Sequence, residues 1–352
     1  MVEQKCNNHH DNISPDPLAP GIVPAVPRGP RPDASSPASV VAPSALDACR
    51  LCPRRCGAAR TSGARGVCGA TSTLRVARAA LHFWEEPPIS GDAGSGAVFF
   101  SGCPLRCVFC QNHDISSGGF GLDVSVSRLA AIMLELEDQG ALNINLVTPL
   151  HYAPQVRKAV LAARDAGLDL PIVCNTSGYE LPEVIHAMAD VVDVWLTDFK
   201  YADAALAARL SAAPDYLGVA SAALAAMCSC VDEAGGRALD EDGRMLRGVI
   251  VRHLVLPGQA DDSCAVLDRV WELTDGAVDL SVMNQYTPND DCRAAHGDLA
   301  RAVTDAEYER VLTYADDLGF EHVWWQQGGT VSESFVPEFD ATGVAGPDLG
   351  TR

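Results

Sequence analysis

The segment from residue 97 to residue 110 reads AVFFSGCPLRCVFC. Its apolar first part, residues 97–100, predicts a short buried strand. Cys103, Cys107 and Cys110 follow this strand with the spacing C-x3-C-x2-C. Thiolates bind the iron of iron–sulfur clusters, and three of them leave one iron of a four-iron cluster without a protein ligand. An open coordination position of this kind is what a catalytic metal centre needs.

Strand-like and helix-like runs alternate along the rest of the chain. Strands are predicted at residues 143–147, 171–174, 191–196, 248–256 and 278–283. Helical spacing relates Leu129, Ile132, Met133 and Leu136. This alternation predicts an α/β fold, a partial or complete parallel (β/α) barrel preceded by a Cys-rich extension. Its active site is expected where the parallel strands end, at their carboxyl edge.

The three cysteines also allow a zinc site. A structural zinc ion usually takes four protein ligands, and His113 is the nearest candidate for the fourth. Under this reading the loop is structural, or its thiols are redox-active without a metal.

The three-cysteine loop resembles that of the radical S-adenosylmethionine (SAM) superfamily. The resemblance lies in the cysteine spacing, in Phe109 before the third cysteine and in the position after the first barrel strand. Other stretches resemble an uncharacterised branch related to pyruvate formate-lyase activating enzyme. They are residues 51–56, 82–87, 99–116, 143–152, 175–179, 198–201, 252–258 and 285–288.

This resemblance implies that Cys103, Cys107 and Cys110 hold a [4Fe–4S] cluster whose open iron binds SAM. It implies reductive cleavage of SAM to methionine and a 5′-deoxyadenosyl radical, which abstracts hydrogen from an unknown substrate. In the activating-enzyme version the substrate is a glycyl-radical enzyme, and thus a protein. The resemblance also implies a reduced flavodoxin- or ferredoxin-like electron donor. A non-catalytic, metal-stabilised binding protein with a degenerate SAM site is the competing hypothesis.

Two strand ends carry candidate cofactor ligands. Asn175 and Ser177 belong to a polar turn that can bind ribose hydroxyls, although an ordinary turn uses the same residues. Asp198 and Lys200 alternate about Phe199, so both side chains are expected on one face of the strand. There they can bind the ammonium and carboxylate groups of methionine; this Asp-x-Lys pattern resembles one in glycyl-radical activating enzymes.

A third strand carries two more candidate residues. Arg252 and His253 lie in an apolar strand, where each is either a satisfied core group or a cofactor contact.

Many radical SAM proteins have Gly-Gly-Glu-Pro after the second strand, but residues 146–149 here read LVTP. The glutamate that receives the SAM amino group is therefore absent, and Thr148 stands near its place.

A second cysteine set precedes the barrel. Cys49, Cys52, Cys56 and Cys68 have the spacing C-x2-C-x3-C-x11-C, which suits a structural zinc ion or a second four-iron cluster. Four thiolates leave a negative charge on either centre, and the segment is rich in arginine. The spacing does not choose between the two metals, and reduced cysteines without metal are the alternative.

The predicted organisation is a disordered tail at 1–45, a Cys-rich segment at 46–95, a barrel core at 96–330 and an extension at 331–352. The tail holds nine of the 22 prolines. A formal net charge of −20 argues against nucleic acid as a partner. No long apolar run predicts a membrane span or a signal peptide. Thirteen cysteines in a chain of this length favour metal binding in a reducing, cytoplasmic setting.

Overall fold

A computed structural model describes residues 39–326 and 336–346, together with the backbone of Val2–Lys5. The strands in this part of the chain are β1 (Val2–Lys5), β2 (Leu74–His82), β3 (Ser95–Phe100), β4 (Leu122–Val124), β5 (Ile144–Val147), β6 (Ile172–Thr176), β7 (Val194–Asp198), β8 (Ala238–Leu239), β9 (Met245–Leu254), β10 (Asp279–Met283) and β11 (Val323–Gln326). The helices are α1 (Pro87–Ser90), α2 (His113–Ser116), α3 (Val126–Asp138), α4 (Ala153–Asp165), α5 (Pro182–Met188), α6 (Ala204–Ser211), α7 (Tyr216–Glu233), α8 (Ala260–Thr274), α9 (Asp290–Ala295) and α10 (Asp305–Leu318).

The strands form one sheet with the order β1-β11-β10-β9-β7-β6-β5-β3-β2-β4, and β8 pairs with β9 beside this path. All neighbours from β3 to β11 are parallel. The outer pairs that involve β1, β2 and β4 are antiparallel. The predicted α/β class with a mainly parallel sheet is confirmed. Among the described strands, however, the hydrogen-bonded path has two ends, β4 and β1, so their pairing does not close a barrel.

The helices cover the sheet with the apolar faces that their sequence patterns predict. In α3, Leu129, Ile132, Met133 and Leu136 are all buried, which confirms the helical spacing. At the start of α10, Thr304 and Glu307 form a reciprocal capping box. Burial of these faces stabilises the helices, because isolated helices of this length are marginal in water.

The two ends of the chain pack differently from the prediction. Val2–Lys5, placed in the predicted disordered tail, pair antiparallel with β11, whose outer edge would otherwise carry unpaired backbone groups. Met1 and residues 6–38 of that tail lie outside the described part of the chain. Its last residues, 39–45, are described: Val41 is buried, and a 3-10 helix begins at Pro43. In the extension, Ala341 N–H donates to Ala77 O (3.0 Å) and Ala79 N–H to Thr342 O (2.8 Å), so residues 341–342 lie along β2.

By length and composition, α7 is apolar enough to cross a membrane. Half of that helix is buried inside the protein, and the core helix of a folded domain passes the same test. The helix is therefore weak evidence for a membrane span.

Candidate functional site: a cavity at the carboxyl ends of the parallel strands

A cavity of about 200 Å³ lies where the parallel strands end. The cavity is lined by residues at or just after the ends of β5, β6, β7, β9 and β10, as expected for the carboxyl edge of such a sheet. The three-cysteine loop lines another side, and the segment after β2 lines a third. From the sequence, that segment, residues 82–87, was only one of the stretches that carry the family resemblance.

Cys103, Cys107 and Cys110 all line this cavity. All three are free thiols. Burial, together with the neighbouring Cys107 and Cys110, raises the pKa of Cys103 to about 12. Burial also raises the pKa of Cys110, and Cys107 adds to this effect. A metal that binds there must therefore displace the thiol protons of Cys103 and Cys110.

The donor set is the one expected for an iron–sulfur cluster with an open position, because three cysteine side chains of one loop line the same cavity. Across the described residues, no three potential ligand side chains are arranged around a single point as a metal ion would need. His113, considered as a fourth ligand, begins α2 and does not line the cavity.

Arg252 is the centre of a buried polar network in the cavity. Its Nε donates to Asp198 Oδ1 (2.9 Å), its Nη1 to Glu85 Oε2 (3.1 Å) and its Nη2 to Asn175 Oδ1 (2.6 Å). The register explains two of these contacts: Asp198 of β7 lies opposite Arg252 of β9, and Asn175 ends the next strand. Each guanidinium nitrogen named here has an acceptor, which offsets the cost of burying the charge.

Asp198 and Lys200 lie on the same side of the strand end, as the alternation predicts. Lys200 Nζ donates to Asp198 Oδ2 at 2.5 Å, and both side chains line the cavity. Burial alone would raise the pKa of Asp198, but Lys200 and Arg252 together hold it below its ordinary value. Burial would lower the pKa of Lys200, and Asp198 raises it above the ordinary value instead. The carboxylate and the ammonium group are therefore both ionised at neutral pH.

Glu85 and Glu86 enter the cavity from the segment after β2. Glu85 Oε1 accepts a hydrogen bond from Asn145 Nδ2 (3.0 Å), and burial raises the Glu85 pKa although Arg252 opposes this effect. Burial raises the pKa of Glu86 to about 7, with Arg252 again opposing. Glu86 Oε2 is buried and has no hydrogen-bond partner among the described residues. The cavity thus holds one acidic oxygen that is available to a ligand.

The pKa of Glu86 predicts a pH-dependent stability. A carboxyl group with a raised pKa in the folded state loses stability as pH rises from about 4.5 to about 7, because the unfolded chain gives up its proton first. Glu86→Gln removes this term. The free energy of unfolding of E86Q relative to the parent is expected to improve between pH 5 and pH 8, by on the order of 3 kcal/mol.

Denaturant unfolding at both pH values measures this difference. Glu309→Gln, at an exposed position of α10, is the matched control and should give the same difference at both pH values. A pH-independent difference for E86Q would contradict the burial argument.

The turn after β6 brings its polar atoms to the cavity. Asn175, Thr176 and Ser177 line it, and Ser177 Oγ is buried without a partner among the described residues. Gly178 has φ 76°, and a Cβ there would lie 2.2 Å from Asp198 O. Glycine is therefore needed for the close approach of this turn to β7. An unpartnered hydroxyl beside an amide side chain can bind a sugar hydroxyl.

His253 is not brought to the cavity. Its Nδ1 lies 2.7 Å from Phe199 O and its Nε2 lies 2.9 Å from Ser263 Oγ, so both ring nitrogens are used within the core. Burial lowers its pKa to about 4, which keeps the ring neutral. Strand alternation places Arg252 on the cavity side and His253 on the other side. The cofactor contact predicted for His253 is therefore not supported, and Arg252 takes that place.

Thr148 stands at the strand end where the family pattern has glutamate. It lines the cavity with the unusual φ of 58°, and its N–H donates to Asn175 O (2.8 Å). Glu85, by contrast, comes from a different part of the chain and reaches both Asn145 and Asn175. Two of the carboxylates that line the cavity, Glu85 and Glu86, thus come from the segment after β2, and the third, Asp198, comes from β7.

The fold and the cavity define an α/β protein with a three-thiol site at the carboxyl edge of its parallel sheet. Residues 97–215 match the sequence model of the Radical SAM superfamily. The match covers about a third of the chain, and it implies a [4Fe–4S] cluster and S-adenosylmethionine as cofactors. The three cysteines and Asp198 lie inside the matched region, whereas Glu85 and Arg252 lie outside it.

The chain is also similar to one curated protein and to two solved structures. The chain is 29% identical over 287 residues to the uncharacterised protein MJ0674 of Methanocaldococcus jannaschii, with 78% of this chain and 76% of that protein covered. A radical SAM methyltransferase from Sphaerobacter thermophilus has 16% identity and a TM-score of 0.44, over 66% of this chain and 67% of that one. SuiB of Streptococcus suis, solved with its precursor peptide SuiA, has 15% identity and a TM-score of 0.41, over 61% of this chain but only 43% of that one.

Proposed function

We propose that this protein cleaves S-adenosylmethionine reductively and uses the resulting radical to take a hydrogen atom from a substrate. The observation that carries the proposal is that the three-thiol loop and the network around Arg252 line one cavity. When bound, the reduced cluster supplies the electron that breaks the C5′–S bond of SAM, releasing methionine and a 5′-deoxyadenosyl radical.

The residues of this chain would bind and orient SAM. Cys103, Cys107 and Cys110 hold the cluster, while Asp198 and Lys200 offer opposite charges to the ammonium and carboxylate of the methionine part. Their pairing in the absence of a ligand keeps both groups ionised and fixed at the strand end. Prearranged charges of this kind cost no reorganisation when the ligand binds.

Three further polar groups complete the proposed SAM-binding site. Asn175 and Ser177 would bind the ribose hydroxyls, because Ser177 Oγ has no partner among the described residues. Glu86 would accept a hydrogen bond from the SAM amino group, in place of the glutamate missing near Thr148. Its buried Oε2 also lacks a partner in the described part of the chain.

The substrate is proposed to be a glycyl-radical enzyme, from whose backbone glycine the radical would take a hydrogen atom. This narrower proposal is supported by the Asp198-x-Lys200 pattern and by the resemblance of several stretches to activating enzymes. It needs a reduced flavodoxin- or ferredoxin-like donor. A lasting organic radical signal on a co-expressed glycyl-radical partner would support it, and no signal with an enzyme that cleaves SAM would refute it.

The assay of SAM cleavage tests the proposal. Anaerobically reconstituted protein with dithionite and SAM is expected to form 5′-deoxyadenosine and methionine in equal amounts. Glu86→Gln should raise the SAM concentration for half-maximal rate by about tenfold or more, because hydrogen bonds to charged groups contribute about 1.5–3 kcal/mol. Bound iron and bound SAM without 5′-deoxyadenosine would instead favour the competing hypothesis of a non-catalytic binding protein.

A further inference from the structure

The second cysteine set lies in one folded segment, which brings two of its sulfurs to the same point. Cys49, Cys52 and Cys68 are buried, and Cys56 lies at the surface of the same segment. A Cβ placed on Gly66 would lie 3.2 Å from Cys56 Sγ and 3.5 Å from Cys68 Sγ, so these two sulfurs face one point. Turns fold the segment back on itself: Cys49 N–H donates to Ala58 O and Gly57 N–H donates to Cys49 O.

A buried arginine lies beside these thiols. The Arg60 side chain is fully buried, and its Nη1 is 3.5 Å from Cys49 Sγ. Its other hydrogen bonds go to backbone carbonyls, including Thr71 O at 2.7 Å. In the described part of the chain no carboxylate pairs with it. A buried guanidinium without an anion is costly, and thiolates at this position would supply the missing negative charge.

The same segment packs directly on the three-cysteine loop. Cys103 N–H donates to Cys68 O (3.2 Å), so one backbone hydrogen bond joins the two sets. A Cβ on Gly102, which has φ 89°, would lie 2.6 Å from Cys68 O, and only glycine permits this approach. Arg54 Nε donates to Pro104 O (3.0 Å), and Arg106 Nη1 donates to Val67 O (3.1 Å).

We propose that Cys49, Cys52, Cys56 and Cys68 bind a second metal centre through four thiolates, and that this centre supports the loop of the first. Neutral thiols would leave Arg60 without a counter-charge, whereas metal-bound thiolates provide one in a buried site. The centre takes either one zinc ion or a four-iron cluster, since four thiolates suit both. Its contact through Cys68 O makes it a support for the position of Cys103.

Metal analysis of the full chain tests this inference. The parent protein, reconstituted anaerobically with iron and sulfide in the presence of zinc, is expected to hold either about eight irons or about four irons and one zinc. Cys56→Ser is the first variant, because Cys56 is exposed and its replacement leaves the core intact. The C56S variant should lose only the metal of the second centre, that is about four irons or the single zinc. Cys264→Ser, at a partly exposed position of α8, is the control and should keep both.

The outcomes separate this inference from the proposed function. About four irons and no zinc in the parent, unchanged in C56S, would overturn the second centre and leave SAM cleavage untouched. The second centre would be supported if C56S loses the second metal and keeps the iron of the three-cysteine loop. This holds whether or not the protein forms 5′-deoxyadenosine. The parent protein needs no substitution for the first count, so misfolding of a variant cannot hide the answer.

Discussion

Replacing Cys107 with serine is expected to abolish SAM cleavage and to remove the iron of the three-cysteine loop. Cys107 lies between the other two thiols, and its side chain is buried at the cavity wall. Serine leaves two thiolates and a hydroxyl, which is a poor ligand for iron at neutral pH. The variant should lose about four irons per chain and all detectable 5′-deoxyadenosine.

The measurement pairs iron content with 5′-deoxyadenosine formation in the same preparation. Cys264→Ser, which lies on α8 far along the chain from the loop, should match the parent in both. A C107S protein that keeps its iron and still cleaves SAM would show that the cluster is bound elsewhere. Iron retained at the N-terminal cysteines of C107S would not contradict the prediction, because the iron of each centre is counted separately.

Replacing Arg252 with alanine is expected to destabilise the protein by about 3–5 kcal/mol. The guanidinium contacts Asp198, Glu85 and Asn175, and these side chains are largely shielded from water. Its loss leaves two buried carboxylates with Lys200 as the only nearby cation of the network. The free energy of unfolding, measured with denaturant, should fall by this amount at neutral pH.

A surface arginine provides the comparison. Arg269 pairs with Glu272 on α8 with a side chain 38% exposed, and its replacement by alanine should cost less than about 1 kcal/mol. The double variant Arg252→Met with Glu85→Gln should be less destabilised than the sum of the two single changes, since both charges are removed together. An R252A variant as stable as R269A would show that the network contributes little to the fold.

The local features of the chain could be predicted because they depend on neighbours in sequence. The strand before the cysteines, the buried face of α3 and the capping box of Thr304 and Glu307 follow from spacing alone. Alternation along a strand also predicted that Asp198 and Lys200 share one side, which their 2.5 Å contact confirms. These patterns repeat with the period of the backbone, and so they are visible in a single sequence.

The network around Arg252 could not be predicted in the same way. Glu85 lies far from Arg252 in sequence, and their contact depends on the path of the segment after β2. The choice between Arg252 and His253 depended on which side of β9 faces the cavity. Both are polar residues in an apolar strand, so composition gives no preference, and the register with β7 decides it.

The sequence by itself predicted a metal-binding loop, because three thiols at C-x3-C-x2-C spacing in one short loop can meet at one metal centre wherever the loop lies. It also determined the α/β class, through apolar runs separated by amphipathic helices. Only the tertiary structure decided which charges meet in the cavity, that the pairing of the described strands has two free ends, and that Cys68 contacts Cys103. These contacts join residues that are far apart along the chain. They depend on burial and on strand register, which no local sequence pattern encodes.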